Sequence, residues 1–226
     1  VAGATVANDK GNPVSAPATR GLSRNDLAVI GFSFVYMTVA LASALFLHNK
    51  EFVFYFVIMC VMMAVTWGVH WAIRLHPLAL WGLSLWGFLH MAGGLVPIPE
   101  GWPRLGGNVL YNLWLIPNLL KYDQIIHAYG FGLMTWVCWQ GLQRAFKNRG
   151  VTARPTFGLL TLCVAAGMGF GALNEVIEFI AALTIQGTNV GGYENTGWDL
   201  VANLTGCVLS AVLLRWSSAF RLSEAG

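Results

Sequence analysis

Six apolar stretches alternate with short polar segments along the chain, at 27–47, 52–73, 78–96, 123–146, 157–183 and 198–216. Each approaches or exceeds the roughly 20 residues that a helix needs to cross a hydrocarbon layer. The pattern predicts an all-α fold, a polytopic membrane bundle of six transmembrane helices filling residues 24–222. Residues 1–23 mix Gly, Ala, Asn, Pro and Ser without one aromatic. They have too little apolar surface to offset their ordering entropy and are expected to form a flexible tail. Between the third and fourth stretches, segment 97–122 is broken by Pro97, Pro99, Pro103 and Pro117. Its apolar run 109–115 is too short to span, so an interfacial or re-entrant piece is expected there.

Composition narrows the class. The chain of 226 residues is 56% hydrophobic and 10% charged, against about 25% charged in soluble domains. An ordinary water-facing surface is excluded. A net charge of +3 without a basic helix gives no footing for nucleic acid. Cys60, Cys138, Cys163 and Cys207 lie in apolar stretches without paired spacing, and are expected to be small buried side chains.

Charge also orients the bundle. With six spans, ten of the thirteen basic residues fall on the side of the termini and of the 2–3 and 4–5 connections. Only Lys50, Arg104 and Lys121 fall on the other. The bias places both termini, and the tail, in the cytoplasm.

Ionisable groups within spans are costly and are candidates for function. Here they are His90, Asp123, His127, Glu175, Glu178 and Asp199, with Asn174 and Asn203 beside them. In the derived topology they share one depth, in the outer third of the bilayer. Asp123/His127, Asn174/Glu178 and Asp199/Asn203 are i,i+4 pairs and Glu175/Glu178 is an i,i+3 pair, so each pair projects from one helix face. No Lys or Arg inside a span is available to neutralise Glu175 and Glu178. Two such carboxylates are expected to share a proton or bind a metal. Carboxylate and imidazole donors suit Zn²⁺, Mn²⁺ or Mg²⁺ better than copper or an iron–sulfur cluster. Asp123 and Asp199 also sit at helix starts, where capping alone accounts for a carboxylate. On the fifth span, Gly167, Gly169 and Gly171 with neighbouring alanines predict a smooth face for close helix packing.

The run Tyr122-Asp123-Gln124-Ile125-Ile126-His127 with Gly130, then Asn174-Glu175-Val176-Ile177-Glu178, then Trp198-Asp199 with Asn203 and Gly206, resembles the YjdF-like family. His90-Met91-Ala92-Gly93-Gly94 fits the same pattern, so the resemblance covers about residues 88–206. It implies a bacterial cytoplasmic (inner) membrane protein and supplies no reaction. A more distant similarity is to VanZ-like proteins, from which this chain departs by having Glu178 where Gln is usual and by lacking an Arg before the final Asp.

Two functions are expected. One is a metal-dependent hydrolase or transferase acting at the outer leaflet on lipid head groups or lipid-linked precursors. Asp123, His127, Glu175 and Asp199 then hold the metal, and Glu178 is the general base. His90, Asn174 and Asn203 orient the substrate or the ligands. The Gly-rich segment 184–197 is expected to be a loop over the cluster. The alternative is a non-catalytic accessory or scaffold subunit, its surface facing membrane lipids and other membrane protein subunits, with the polar cluster as a structural tie.

Overall fold

The structure, a computed structural model, describes residues 21–223, so residues 1–20 of the tail expected at 1–23 lie outside the described residues. The elements are α1 (Arg24–Phe46), α2 (Lys50–Ile73), α3 (Pro77–Leu95), a 3-10 turn (Leu110–Asn112), β1 (Trp114–Ile116), β2 (Leu120–Lys121), α4 (Tyr122–Lys147), α5 (Phe157–Thr184) and α6 (Tyr193–Ser223). Helix starts follow local chemistry. Ser23 and Asp26 form a reciprocal cap on α1, Asn49 Oδ1 accepts the Phe52 N–H at 3.0 Å, and Pro77 opens α3 where no amide partner is needed.

All six long helices fall where the apolar stretches predicted them, with ends shifted by up to seven residues. α6 begins at Tyr193, five residues before the expected start, so residues 193–197 are helix and the connection from α5 is only 185–192. α1, α2, α3, α5 and α6 are each long and apolar enough to cross a membrane. α4, at 26 residues, is long enough but too polar, carrying Asp123, Gln124, His127, Gln140, Gln143, Arg144 and Lys147. Its place explains part of that composition: α3, α5 and α6 pack around it, burying Gln124 and His127, while Gln143 and Lys147 near its other end are exposed. The outer surfaces of other helices are strongly apolar, with Phe34 70%, Leu162 63% and Leu213 61% exposed.

α4 and α6 run closest together. Gly132 of α4 faces the backbone of Gly206, and a Cβ on Gly206 would collide with the Ala128 carbonyl, so only glycine allows this approach. On α5, Gly167 and Gly171 face α4 and α6. Gly169, expected on the same face, points into open space, because a two-residue step on a helix turns the side chain by about 200°. The cysteine expectation also needs correcting. Cys163 and Cys207 are buried, but Cys138 is half-buried and Cys60 is exposed, because α2 lies at the edge of the bundle.

α2 is tied at its two ends. Glu51 Oε2 accepts the backbone N–H of Asn189 at 3.0 Å, and His70 Nε2 lies 3.5 Å from Asp26 Oδ1 of α1. Segment 97–121 folds across one end of the bundle. There β1 and β2 pair antiparallel, with Trp114 opposite Lys121. Tyr111 and Tyr122 donate their hydroxyls to the carbonyls of His90 (2.8 Å) and Leu89 (2.9 Å), fastening the segment to α3. Tyr111, outside the long helices, is half-buried, and desolvation pushes its phenol well above the ordinary range, so it stays a donor.

Candidate functional site

The polar residues of α4, α5 and α6 meet at the end covered by segment 97–121, with His127 at the centre. Its Nδ1 lies 3.1 Å from Asn203 Oδ1 and 3.6 Å from Glu175 Oε1. Its Nε2 lies 3.6 Å from Asp123 Oδ1 and 3.9 Å from Glu178 Oε1. Asn203 Oδ1 can only accept, so in this pairing Nδ1 carries the hydrogen and donates to it, leaving Nε2 facing Asp123 and Glu178. Asn174 Nδ2 donates to Glu178 Oε1 at 2.7 Å, and Asn195 Nδ2 donates to Asp199 Oδ2 at 2.6 Å.

Two sets of donors share His127. Asp123, His127 and Asp199 form one, and His127, Glu175 and Glu178 the other; within each, ligand atoms lie within 4.8 Å of one another. The imidazole–carboxylate distances of 3.6 and 3.9 Å are too long for hydrogen bonds. Donors bound about 2.0–2.2 Å from one tetrahedral ion stand about 3.3–3.6 Å apart, which is near the spacing seen. Several buried atoms have no hydrogen-bond partner among the described residues: both oxygens of Glu175, Asp199 Oδ1 and Asn203 Nδ2. Asp199 and Asn203 are wholly buried. Buried polar atoms without partners are costly, and these four lie together around His127.

Above the cluster is a cup of about 910 Å³. Asp123, Glu178 and His90 reach its lining, whereas His127, Glu175, Asp199 and Asn203 stand behind it. Segment 105–121 and loop 185–192 supply its walls. His90 does not join the donor set. Its ring packs edge-on against Tyr55 (6.1 Å) and Tyr111 (5.5 Å), forming a wall of the cup.

Lys121, which lies outside the spans and was not singled out from the sequence, adds a cation beside Asp123. It is 5% exposed, its Nζ lies 3.9 Å from Asp123 Oδ2, and it donates to Asn195 Oδ1. In the sequence it falls just outside the fourth apolar stretch, and only the β1–β2 pairing turns it inward. Glu51 and Asn195 also belong to the cup and were not singled out by the sequence pattern. Asn195 has a visible signal, an i,i+4 spacing to Asp199, but it lies in a run that reads as loop.

A bundle of long helices with this much exposed apolar surface, enclosing a polar centre, defines a multi-pass membrane protein. A family model for a predicted membrane protein, DUF2238, matches residues 27–219, and the chain belongs to that family, the YjdF-like one its motifs pointed to. No curated protein and no solved structure matches the chain.

Proposed function

We propose that this protein is a metal-dependent hydrolase or transferase of the bacterial cytoplasmic membrane, acting at the outer leaflet on lipid head groups or lipid-linked precursors. α4 is the sixth span in this reading, segment 97–121 is interfacial, and both termini are cytoplasmic. The charge distribution supports that orientation: Arg24, Arg74, Arg144, Lys147, Arg149, Arg154 and Arg215 gather at the end away from the cluster.

The observation that carries the proposal is the convergence of four carboxylates and His127, with orphaned buried oxygens, at the floor of a cup of about 910 Å³. Asp123, His127, Glu175 and Asp199 hold a divalent ion, Zn²⁺, Mn²⁺ or Mg²⁺. The ion supplies Lewis acidity toward a phosphoryl or carbonyl oxygen and makes a nearby water easier to deprotonate. Glu178 reaches the cup and takes the proton from the attacking water, while Asn174 fixes one of its oxygens. Asn203 sets the His127 tautomer, and His90 walls the space beside the substrate. Lys121 offers a positive charge to an anionic head group.

Metal content of detergent-purified protein tests this, with wild type beside Asp123→Asn and Glu175→Gln. A near-stoichiometric divalent metal that is lost from both variants is expected. Metal-free wild type, even after Zn²⁺, Mn²⁺ and Mg²⁺ are offered, would overturn the metal assignment. Glu178→Gln is expected to fold and to retain metal without turnover.

A further inference from the structure

The polar cup does not end at its floor. Tyr55 and His90 line it and also line a narrow neck of about 60 Å³. Met59, Met62, Trp86, Met134 and Phe170 line that neck and also an apolar groove of about 320 Å³ between α2 and the helices α1, α3 and α4. The three spaces therefore adjoin in sequence, each sharing wall residues with the next, from a polar end to an apolar one. Along α2 the groove runs from Met59 to Ile73, about 21 Å at about 1.5 Å per residue. Its flank is open where Val65 of α2 and Phe170 of α5, both lining residues, are 54% and 39% exposed.

Shape selects the occupant. A volume of about 320 Å³ spread along about 21 Å makes a long, narrow slot. Such a slot suits a single extended hydrocarbon chain better than a helix, which with its side chains is about 10–12 Å across. The walls suit such a chain. Four of the seven methionines, Met59, Met62, Met63 and Met134, line the groove, and their unbranched thioethers adapt to a flexible guest. α2 is tied by Glu51 at one end and His70 at the other, leaving its middle as a wall without a polar tie to α4 or α5 among the described residues.

We propose that this groove holds one hydrocarbon tail of a membrane lipid whose head group occupies the cup. This rests on reading the cup as a head-group site, and it narrows the substrate from a soluble head-group compound to an intact lipid. The lipid enters sideways from the bilayer past Val65 and Phe170, and the neck between Tyr55, His90 and Trp86 passes the junction between its head and its tail.

The test is photo-crosslinking in vesicles of phosphatidylethanolamine and phosphatidylglycerol, the latter carrying a diazirine midway along one acyl chain. Labelled residues are mapped by mass spectrometry. Val57 and Val61 face outward from α2 and are expected to be labelled in any case. Val137 of α4 lines the groove and is only 9% exposed, so label there has to arrive through the groove. Labelling at Val137 and Met134 is expected in wild type. In Met134→Trp, Val137 labelling is expected to fall about tenfold, equivalent to about 1.4 kcal/mol of lost binding, with Val57 and Val61 unchanged. Label confined to outward positions in wild type, or Val137 label undiminished in Met134→Trp, would overturn the proposal. The readout needs neither metal nor turnover. Metal-free protein labelled at Val137 would remove the metal reading and keep the groove, and metal-loaded protein unlabelled there would do the reverse.

Discussion

Asn203 of α6 holds His127 of α4 by its Nδ1, at 3.1 Å, and both side chains are out of contact with solvent. The pair joins the two helices that pack most closely and decides which imidazole nitrogen faces the carboxylates. Removing the amide leaves the ring free to turn. Asn203→Ala is therefore expected to weaken divalent-metal binding about 10–100-fold, the usual effect of losing a group that orients a ligating histidine. Metal titration of the purified variant measures it, and wild-type affinity would show that Asn203 orients nothing.

Helix packing behind that pair makes a sharper contrast. A Cβ on Gly171 would lie 2.6 Å from Asn203 Nδ2, while one on Gly169 meets nothing within 4 Å. Gly171→Ala is expected to destabilise the bundle by about 1–3 kcal/mol through overpacking. Gly169→Ala is expected to be neutral, or stabilising by up to about 1 kcal/mol through helix propensity. Thermal unfolding in one detergent compares the two.

Lys121 is buried beside Asp123, whereas Lys50 at the same end of the bundle is exposed. If the cup takes an anionic head group, glycerol phosphate should raise the unfolding temperature of wild-type protein. Lys121→Gln is expected to weaken that protection about tenfold or more, the effect of losing a charged hydrogen bond of about 1.5–3 kcal/mol. Lys50→Gln should leave it unchanged. Equal protection in all three proteins would remove Lys121 from the binding site.

The membrane arrangement has its own check. Gln186 lies in the short α5–α6 connection at the cluster end, and Asn148 follows α4 at the other. In protein whose four native cysteines are replaced, a membrane-impermeant maleimide applied to spheroplasts is expected to label Gln186→Cys and spare Asn148→Cys. The reverse pattern would invert the topology, and labelling of both would mean that α5, which separates the two positions, does not cross.

How far the sequence foretold this site depends on the range of the interactions involved. Asp123, His127, Glu175, Glu178, Asp199 and Asn203 were legible because i,i+4 spacing within a helix fixes a face, and helix length fixes a depth. Their meeting on α4, α5 and α6 agrees with that reasoning. His90 shared the depth but not the cluster, since depth says nothing about position around the bundle. Lys121 was hidden because its burial depends on the β1–β2 pairing, an arrangement no helical period encodes. Residues 193–197 read as loop because Gly197 and the polar Asn195 weaken local propensity, yet the link from Asn195 to Asp199 extends α6 through them. α4 read as an ordinary span from its apolar stretch, whereas its fuller composition marks it as the helix the others surround.

That inner position of α4 bears on how the protein is made. Asp123, Gln124 and His127 are accommodated against α5 and α6, which leave the ribosome later. A lone helix carrying such groups near one end gains less from entering lipid than a wholly apolar one. If α4 is a sixth span, its insertion is expected to wait for its shielding partners, so that the C-terminal three helices enter the bilayer as one unit.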